Sequence, residues 1–403
     1  MRERNRLPFG HPVPFTIDVP QSILDGIQRK VRAYEWHEMP EIQQGADRWA
    51  YGADMRYIRE LCAYWLDVYD WRAAEAVLNR YQQYIVRIDD QDVHFLHVRG
   101  SGGGTLAVML THGWPGSFYE FYAVIDRLTR PDVDPASGGL DVIVPSLPGF
   151  AFSGKPKRPI GPRRISALWD TLARDVLGYE RYIAQGGDWG SYVSGWLGYE
   201  HGPAQSGGCV ALHLNMYGVR TAEAPSTDDA RAWADRIRSL RERESAYSHL
   251  QATKPQSLSY GMMDSPVGVL AWIIEKINTW SDLLGPDRGE HLENAFSKDH
   301  LLTNVMVYLV TRSFNTASWI YRGRLDEGGT TLAPGTKVVV PTAVANFARE
   351  PFLFPPRSYA ERSYNIVRWT DHERGGHFAA MEQPEAFALD VRASVGELGL
   401  AST

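Results

Sequence analysis

The sequence predicts an α/β architecture: a mostly parallel sheet covered by helices, preceded by a helical extension and interrupted by a helical insertion. Three observations carry this. Short apolar runs alternate with helix-length segments from about residue 106 to 214, the strand pattern vanishes between Arg220 and Gly329, and it returns at Lys337 to Val340 and Asn365 to Trp369. Such alternation marks parallel strands joined by helical crossovers.

Along the chain, Pro20 and Ser22 suit a helix start, Ile23, Ile27 and Val31 recur every four residues, and Asp70 is placed to cap another helix. A hairpin follows, Tyr84 to Ile88 and Val93 to Val98, around Asp89-Asp90-Gln91-Asp92. The runs Leu106 to Leu110, Val142 to Val144, Tyr182 to Ala184 and Val210 to Leu214 read as core strands, with helices near Tyr119 to Leu128, Ile165 to Leu177 and Ser191 to Tyr199. A last helix starts at Pro384. The expected division is an N-terminal helical extension (1–83), a first core part (84–219), a helical lid (220–329) and a second core part (330–403). Ligands of open α/β sheets bind beyond the carboxyl ends of the strands, so an insertion there is placed to roof the site.

At 403 residues, with 44% hydrophobic and 22% charged, the composition is that of an ordinary globular protein. No run approaches the roughly 18 apolar residues of a membrane span, and the Arg-rich start lacks a secretory apolar stretch, so a cytoplasmic protein without a membrane partner is expected. The net charge of −6 disfavours a nucleic-acid partner, and the short basic run Lys155-Pro156-Lys157-Arg158 with Arg163-Arg164 reads as solvated loop. Cys62 and Cys209 are expected as reduced thiols. Self-association into a homo-oligomer is left open.

Gly186-Gly187-Asp188-Trp189-Gly190-Ser191 falls where a strand ends and a helix begins. It has the form of the nucleophile elbow of the α/β-hydrolase fold, with Asp in place of Ser. Small residues flank the nucleophile because backbone segments pass closely there. Asp188 reads equally as a helix N-cap. His112-Gly113-Trp114-Pro115-Gly116 follows the strand at Leu106 to Leu110, where this fold supplies half of its oxyanion hole, so the Trp114 and Trp189 amides are candidate oxyanion donors. Neither His112 nor the pair His94 and His97 has the spacing of metal ligands, and no metal or cofactor is expected. His377, in the glycine-flanked loop Arg374-Gly375-Gly376-His377-Phe378, comes last in the order nucleophile, acid, histidine that this fold uses. Glu350, ten residues beyond Val340, suits the acid better than Asp371 or Glu382. A carboxylate attacking a saturated carbon forms an alkyl ester, so the substrate must carry its own leaving group, a halide or an epoxide oxygen.

Six segments carry a resemblance to a known family: His112 to Ser117, Gly186 to Ser191, Gln251-Ala252-Thr253-Lys254-Pro255-Gln256, Asp264-Ser265-Pro266-Val267-Gly268, Leu301-Leu302-Thr303-Asn304-Val305 and Gly375 to Phe378. The chain resembles the microsomal-type epoxide hydrolases, a group that includes the juvenile hormone epoxide hydrolases, over nearly its whole length from Pro14. The resemblance implies an epoxide hydrolase that makes a vicinal diol through an Asp188 ester. It also implies that two lid tyrosines, Tyr247 and Tyr321, hold the epoxide oxygen. Two departures stand out: the membrane-anchoring segment of some relatives is absent, which implies a soluble form, and Ala348 replaces a proline often found before the acid. The lid tryptophans Trp272, Trp280 and Trp319 suggest a roomy apolar pocket for a bulky or aryl epoxide. The rival readings are a haloalkane-type dehalogenase on the same fold and a non-catalytic ligand-binding relative.

Overall fold

The computed structural model describes residues 9–42, 47–101, 106–130, 139–285, 291–398 and 400. Nine strands form one sheet: β1 (Val13–Phe15), β2 (Gln83–Ile88), β3 (Gln91–Val98), β4 (Leu106–Thr111), β5 (Asp141–Pro145), β6 (Arg181–Gly186), β7 (Cys209–Leu214), β8 (Val338–Phe347) and β9 (Tyr364–His372). Their order is β1-β2-β3-β5-β4-β6-β7-β8-β9, antiparallel through the β3–β5 pair and parallel from β5 to β9. Both β4 and β5 are buried along their whole length. That is why they read as unbroken apolar runs rather than alternating ones. Burying Val108, Met109 and Leu110 contributes about 1.5–3 kcal/mol each.

The preface contains the helices Gln21–Arg32, Met55–Asp67 and Trp71–Leu78. Asp70 caps the third by accepting the Arg72 amide. The predicted stripe is out of phase: Leu24, Ile27 and Val31 face the core while Ile23 is exposed. The preface is also not helical alone, since β1 pairs with β2. Three residues on a sheet edge, one of them proline, show no period that a sequence reading detects. β8 runs seven residues past the predicted end because Pro341 reads as a breaker, whereas the pairing with β9 shifts register there.

Between β7 and β8 lie the helices Asp228–Glu244, Ala246–Thr253, Pro255–Met262, Pro266–Trp280, Lys298–Val310 and Phe314–Asp326. The helix Lys298–Val310 is fastened on two sides. Tyr64 donates to Asp299 (3.0 Å), Tyr69 meets Thr303 (3.2 Å) and Lys298 pairs with Glu60, all from the preface. On its other side Asn304 donates to the Pro115 carbonyl (2.9 Å) and Tyr308 to that of Gly116 (2.6 Å). Among the described residues no helix is long and apolar enough to cross a membrane. Cys62 and Cys209 are free and buried. Of the basic run, Lys157 faces Asp90 (3.8 Å), while nearby Arg164 pairs with Asp89.

Candidate active site

Parallel register brings the chemistry together. Thr111 at the end of β4 is level with Gly186 at the end of β6, so the loop from His112 lies beside the turn at Asp188. Asp188 opens the helix Asp188–Glu200 with φ of +40°, a strained conformation for a residue with a side chain. The turn closes tightly: a β-carbon on Gly190 would lie 1.9 Å from the Thr111 carbonyl oxygen. The helix N-cap is Gly187, and Asp188 instead accepts the Trp114 amide through Oδ1 (2.7 Å). That geometry removes the N-cap reading.

His377 follows β9 and stands with Nε2 3.4 Å from Asp188 Oδ2. Its Nδ1 donates to Glu350, 2.9 Å from Oε2 and 3.1 Å from Oε1. Burial disfavours a charged imidazole here, but the Glu350 and Asp188 carboxylates outweigh it and hold the His377 pKa well above its usual value. The other two candidate acids lie elsewhere. Asp371 bonds Asn346 and the Trp369 indole. Glu382 accepts the amides of Asp282, Gly376 and Phe378 and braces the loop that carries His377. The Ala348 departure does not displace Glu350 from the imidazole.

The lid supplies the facing wall. Tyr247 stacks on Trp114, with ring centres 4.9 Å apart and planes 12° from parallel. Tyr321 stands edge-on to Trp189 at 4.6 Å and to Tyr247 at 5.9 Å. Burial first, and then the nearby Asp188 carboxylate, push the Tyr247 phenol well above its usual pKa; Tyr321 is raised by burial, Tyr247 and Asp188. Both therefore remain protonated donors. The Tyr321 hydroxyl faces the Tyr247 phenol and the Trp189 indole without a well-formed hydrogen bond to either. Asp188, Tyr247 and Tyr321 line one cavity of about 320 Å³.

Trp280 packs edge-on to His377 at 5.0 Å and against Tyr247 at 5.3 Å, while its carbonyl accepts the His377 amide. Like Trp272 and Trp319, it is not among the residues that line the cavity. The indoles of Trp272 and Trp319 bond Gln251 (3.1 Å) and Asn315 (3.2 Å). Trp319 lies two positions from Tyr321 on the same helix, and such positions face different sides. His112 braces its loop as a neutral ring: Nε2 accepts the Leu147 amide (3.1 Å) and Nδ1 meets the Gly113 carbonyl (3.0 Å).

The sequence reading missed Glu120. It lines a second, small cavity of about 20 Å³ together with Asp188 and His377. That is room for one water. Burial, with His377 opposing and Asp188 adding, pushes the Glu120 carboxyl up to about 8. A lone carboxylate inside Phe118-Tyr119-Glu120-Phe121-Tyr122 was the available signal, because a charge amid aromatic residues has a reason to be there.

Comparison with known proteins follows this geometry. A family model described as epoxide hydrolase N terminus matches residues 12–121, and one described as alpha/beta hydrolase fold matches residues 107–215. Epoxide hydrolase 1 of Sus scrofa is 32% identical, over 96% of this chain and 88% of that protein. The chain belongs to the epoxide hydrolase family. Solved epoxide hydrolases superpose over nearly the whole chain. The Aspergillus niger enzyme does so with a TM-score of 0.81 at 28% identity, covering 96% of this chain and 97% of that one. The juvenile hormone epoxide hydrolase of Bombyx mori does so with a TM-score of 0.79 at 27% identity, covering 98% and 94%. The epoxide hydrolase N-terminal match takes in β1, the preface helices and the loop carrying Trp114.

Proposed function

We propose that this epoxide hydrolase opens a small-molecule epoxide to a vicinal diol by attack of Asp188, with the ester then hydrolysed by a water activated by His377. The observation that carries the reading is the Asp188 carboxylate itself. One oxygen is held by the Trp114 amide, the other faces His377, and two protonated phenols share its cavity.

In the first step Asp188 Oδ2 bonds an oxirane carbon, the carbon–oxygen bond of the ring breaks, and Tyr247 and Tyr321 donate to the departing oxygen. The alkoxide takes a proton through the phenols, which the protonated His377 makes good. Esterification also erases the Asp188 charge that helped raise the His377 pKa, so the neutral imidazole is favoured when a base is needed. In the second step water between Glu120 and His377 attacks the Asp188 carboxyl carbon. The Trp114 amide, with that of Trp189, stabilises the oxyanion; the acyl bond breaks, the leaving diol oxygen takes the proton of the newly added hydroxyl, and the Asp188 carboxylate is regenerated. The proton taken by His377 restores the resting state.

The test uses heavy-oxygen water with enzyme in excess over substrate. The first diol should be unlabelled and the label should enter the peptide containing Asp188, because water attacks the carboxyl carbon. In the His377→Gln variant the ester should accumulate as one substrate mass on the same peptide. Labelled diol in the first turnover would exclude Asp188 as nucleophile. Halide release from haloalkanes is the control, since the Trp114 indole nitrogen is buried without a partner among the described residues and would suit a halide.

A further inference from the structure

The cavity that Asp188, Tyr247 and Tyr321 line at its buried end reaches the surface beside Arg220, Arg241 and Arg324. The chain carries a net charge of −6, and its arginines are commonly paired: Arg163 with Glu200, Arg362 with Glu223, and Arg322, on the same helix as Arg324, with Asp326. The three at the cavity differ. None has a carboxylate partner among the described residues, and the Nε atoms of Arg220 and Arg324 are buried with no hydrogen-bond partner among them. Glu244 also lines the cavity, but Lys276 lies 3.1 Å from its carboxylate.

The guanidiniums crowd one another. Burial, Arg220 and Arg324 together lower the Arg241 pKa. Like charges gathered without an anion cost stability, and an oxyanion among them relieves that cost while satisfying fork-shaped donors. The spacing from the reacting end is short. Arg324 lies three residues beyond Tyr321, one helical turn along the same face, and its Cζ is 6.0 Å from the Trp189 ring that Tyr321 abuts. Trp189, Tyr192, Ala252, Leu325 and Phe352 give the same cavity apolar wall, beside the polar Ser245, Ser248, His249 and Thr253.

We propose that the epoxide this protein turns over carries an anionic head group, a carboxylate or phosphate, bound by Arg220, Arg241 and Arg324 and separated from the oxirane by a short apolar spacer. The proposal rests on the epoxide hydrolase reading and narrows its substrate class. The apolar pocket expected from the sequence is then only the inner part of the site.

The experiment compares ω-epoxy alkanoates of increasing chain length with their methyl esters and with epoxy alkyl phosphates, measuring kcat/KM on the full chain. At the best spacer the acid or the phosphate should exceed the ester by about tenfold, and that preference should shrink with added salt. Which of the two anions leads identifies the head group. In Arg241→Gln and Arg324→Gln the ratio of anion to ester should fall toward unity, and Arg241→Lys should keep part of it. Arg241 is not among the residues its helix packs into the core, which are Ala230, Trp233 and Ile237, so its replacement leaves the core intact. Equal kcat/KM for anions and esters at every spacer, or a preference undiminished in both variants, would overturn the proposal alone. Turnover of none of the epoxides would overturn the epoxide reading and the proposal with it.

Discussion

Glu382 brackets His377. Its Oε2 accepts the Gly376 amide and its Oε1 the Phe378 amide, each at 2.8 Å, so one carboxylate holds the backbone on both sides of the imidazole. The same Oε2 accepts the Asp282 amide at 2.6 Å. Glu382 touches no reacting atom and acts as a positioning residue. Glu382→Ala strands three buried amides, and leaving such groups unpaired costs about 1–3 kcal/mol each. The expected result is a lower unfolding midpoint together with ester hydrolysis slowed about tenfold at unchanged alkylation, with Glu382→Gln recovering part of both. Rapid-quench kinetics separates the two steps, and equal slowing of both would show that the loop merely collapsed.

Tyr247 and Tyr321 reach one cavity from different lid helices, and in the proposed mechanism both donate to the same developing alkoxide, so each covers in part for the other. Tyr247→Phe and Tyr321→Phe alone should retain measurable turnover. The double change should lower the alkylation rate by on the order of a thousandfold. Single-turnover ester formation is the measurement, and a double variant that alkylates at the wild-type rate would remove both tyrosines from the mechanism.

In the proposed mechanism Glu120 bears on the second step only. Glu120→Gln preserves volume but removes the titrating group, whose pKa stands at about 8. Ester hydrolysis should slow by about tenfold while alkylation is spared. The pH profile of ester hydrolysis should lose the inflection that Glu120 contributes. An unaltered profile would assign the inflection, and the water, to another group.

Buried ionisable groups pull the stability of the fold in opposite directions with pH. Burial, with His112 adding to it, lowers His94 from 6.5 to about 3, so below pH 6.5 the unfolded chain binds a proton that the folded one refuses. Stability from this group is present above pH 6.5 and is lost as pH falls. Glu382 has the reverse sign: burial raises it from 4.5 to about 7, so its contribution is present below pH 4.5 and is lost as pH rises toward 7. Relative to wild type, His94→Asn should therefore flatten the rise of unfolding free energy between about pH 4.5 and 6.5 by roughly 1.4 kcal/mol per unit. Glu382→Gln should steepen it. Denaturant titrations across that range test the point, and parallel curves for all three proteins would contradict it.

How much of this was legible depended on whether the signal was local. The elbow at Asp188 and the glycine-flanked His377 show in sequence because strained turns restrict their neighbours to small residues. Glu350 required only the order of strands, since β8 delivers the acid whichever residues fill the loop between. Tyr247 and Tyr321 rested on resemblance, because one tyrosine in an apolar helix looks like the next. Trp272, Trp280 and Trp319 read as pocket residues for the same reason, although none of them lines the cavity. Glu120, Glu382 and the unpaired arginines were invisible, since what distinguishes them is a partner, or the lack of one, supplied by residues far away in the chain.

The double fastening of the helix Lys298–Val310 makes the preface a doorframe rather than an ornament. Tyr69 touches Thr303, the adjacent Asn304 holds the Pro115 carbonyl, and the adjacent Trp114 amide holds the Asp188 carboxylate. A disturbance near the start of the chain thus reaches Asp188 in a few contacts without passing through the sheet. The cavity beside Asp188 has no such frame where Arg241, His249 and Thr253 line it, since those three are exposed.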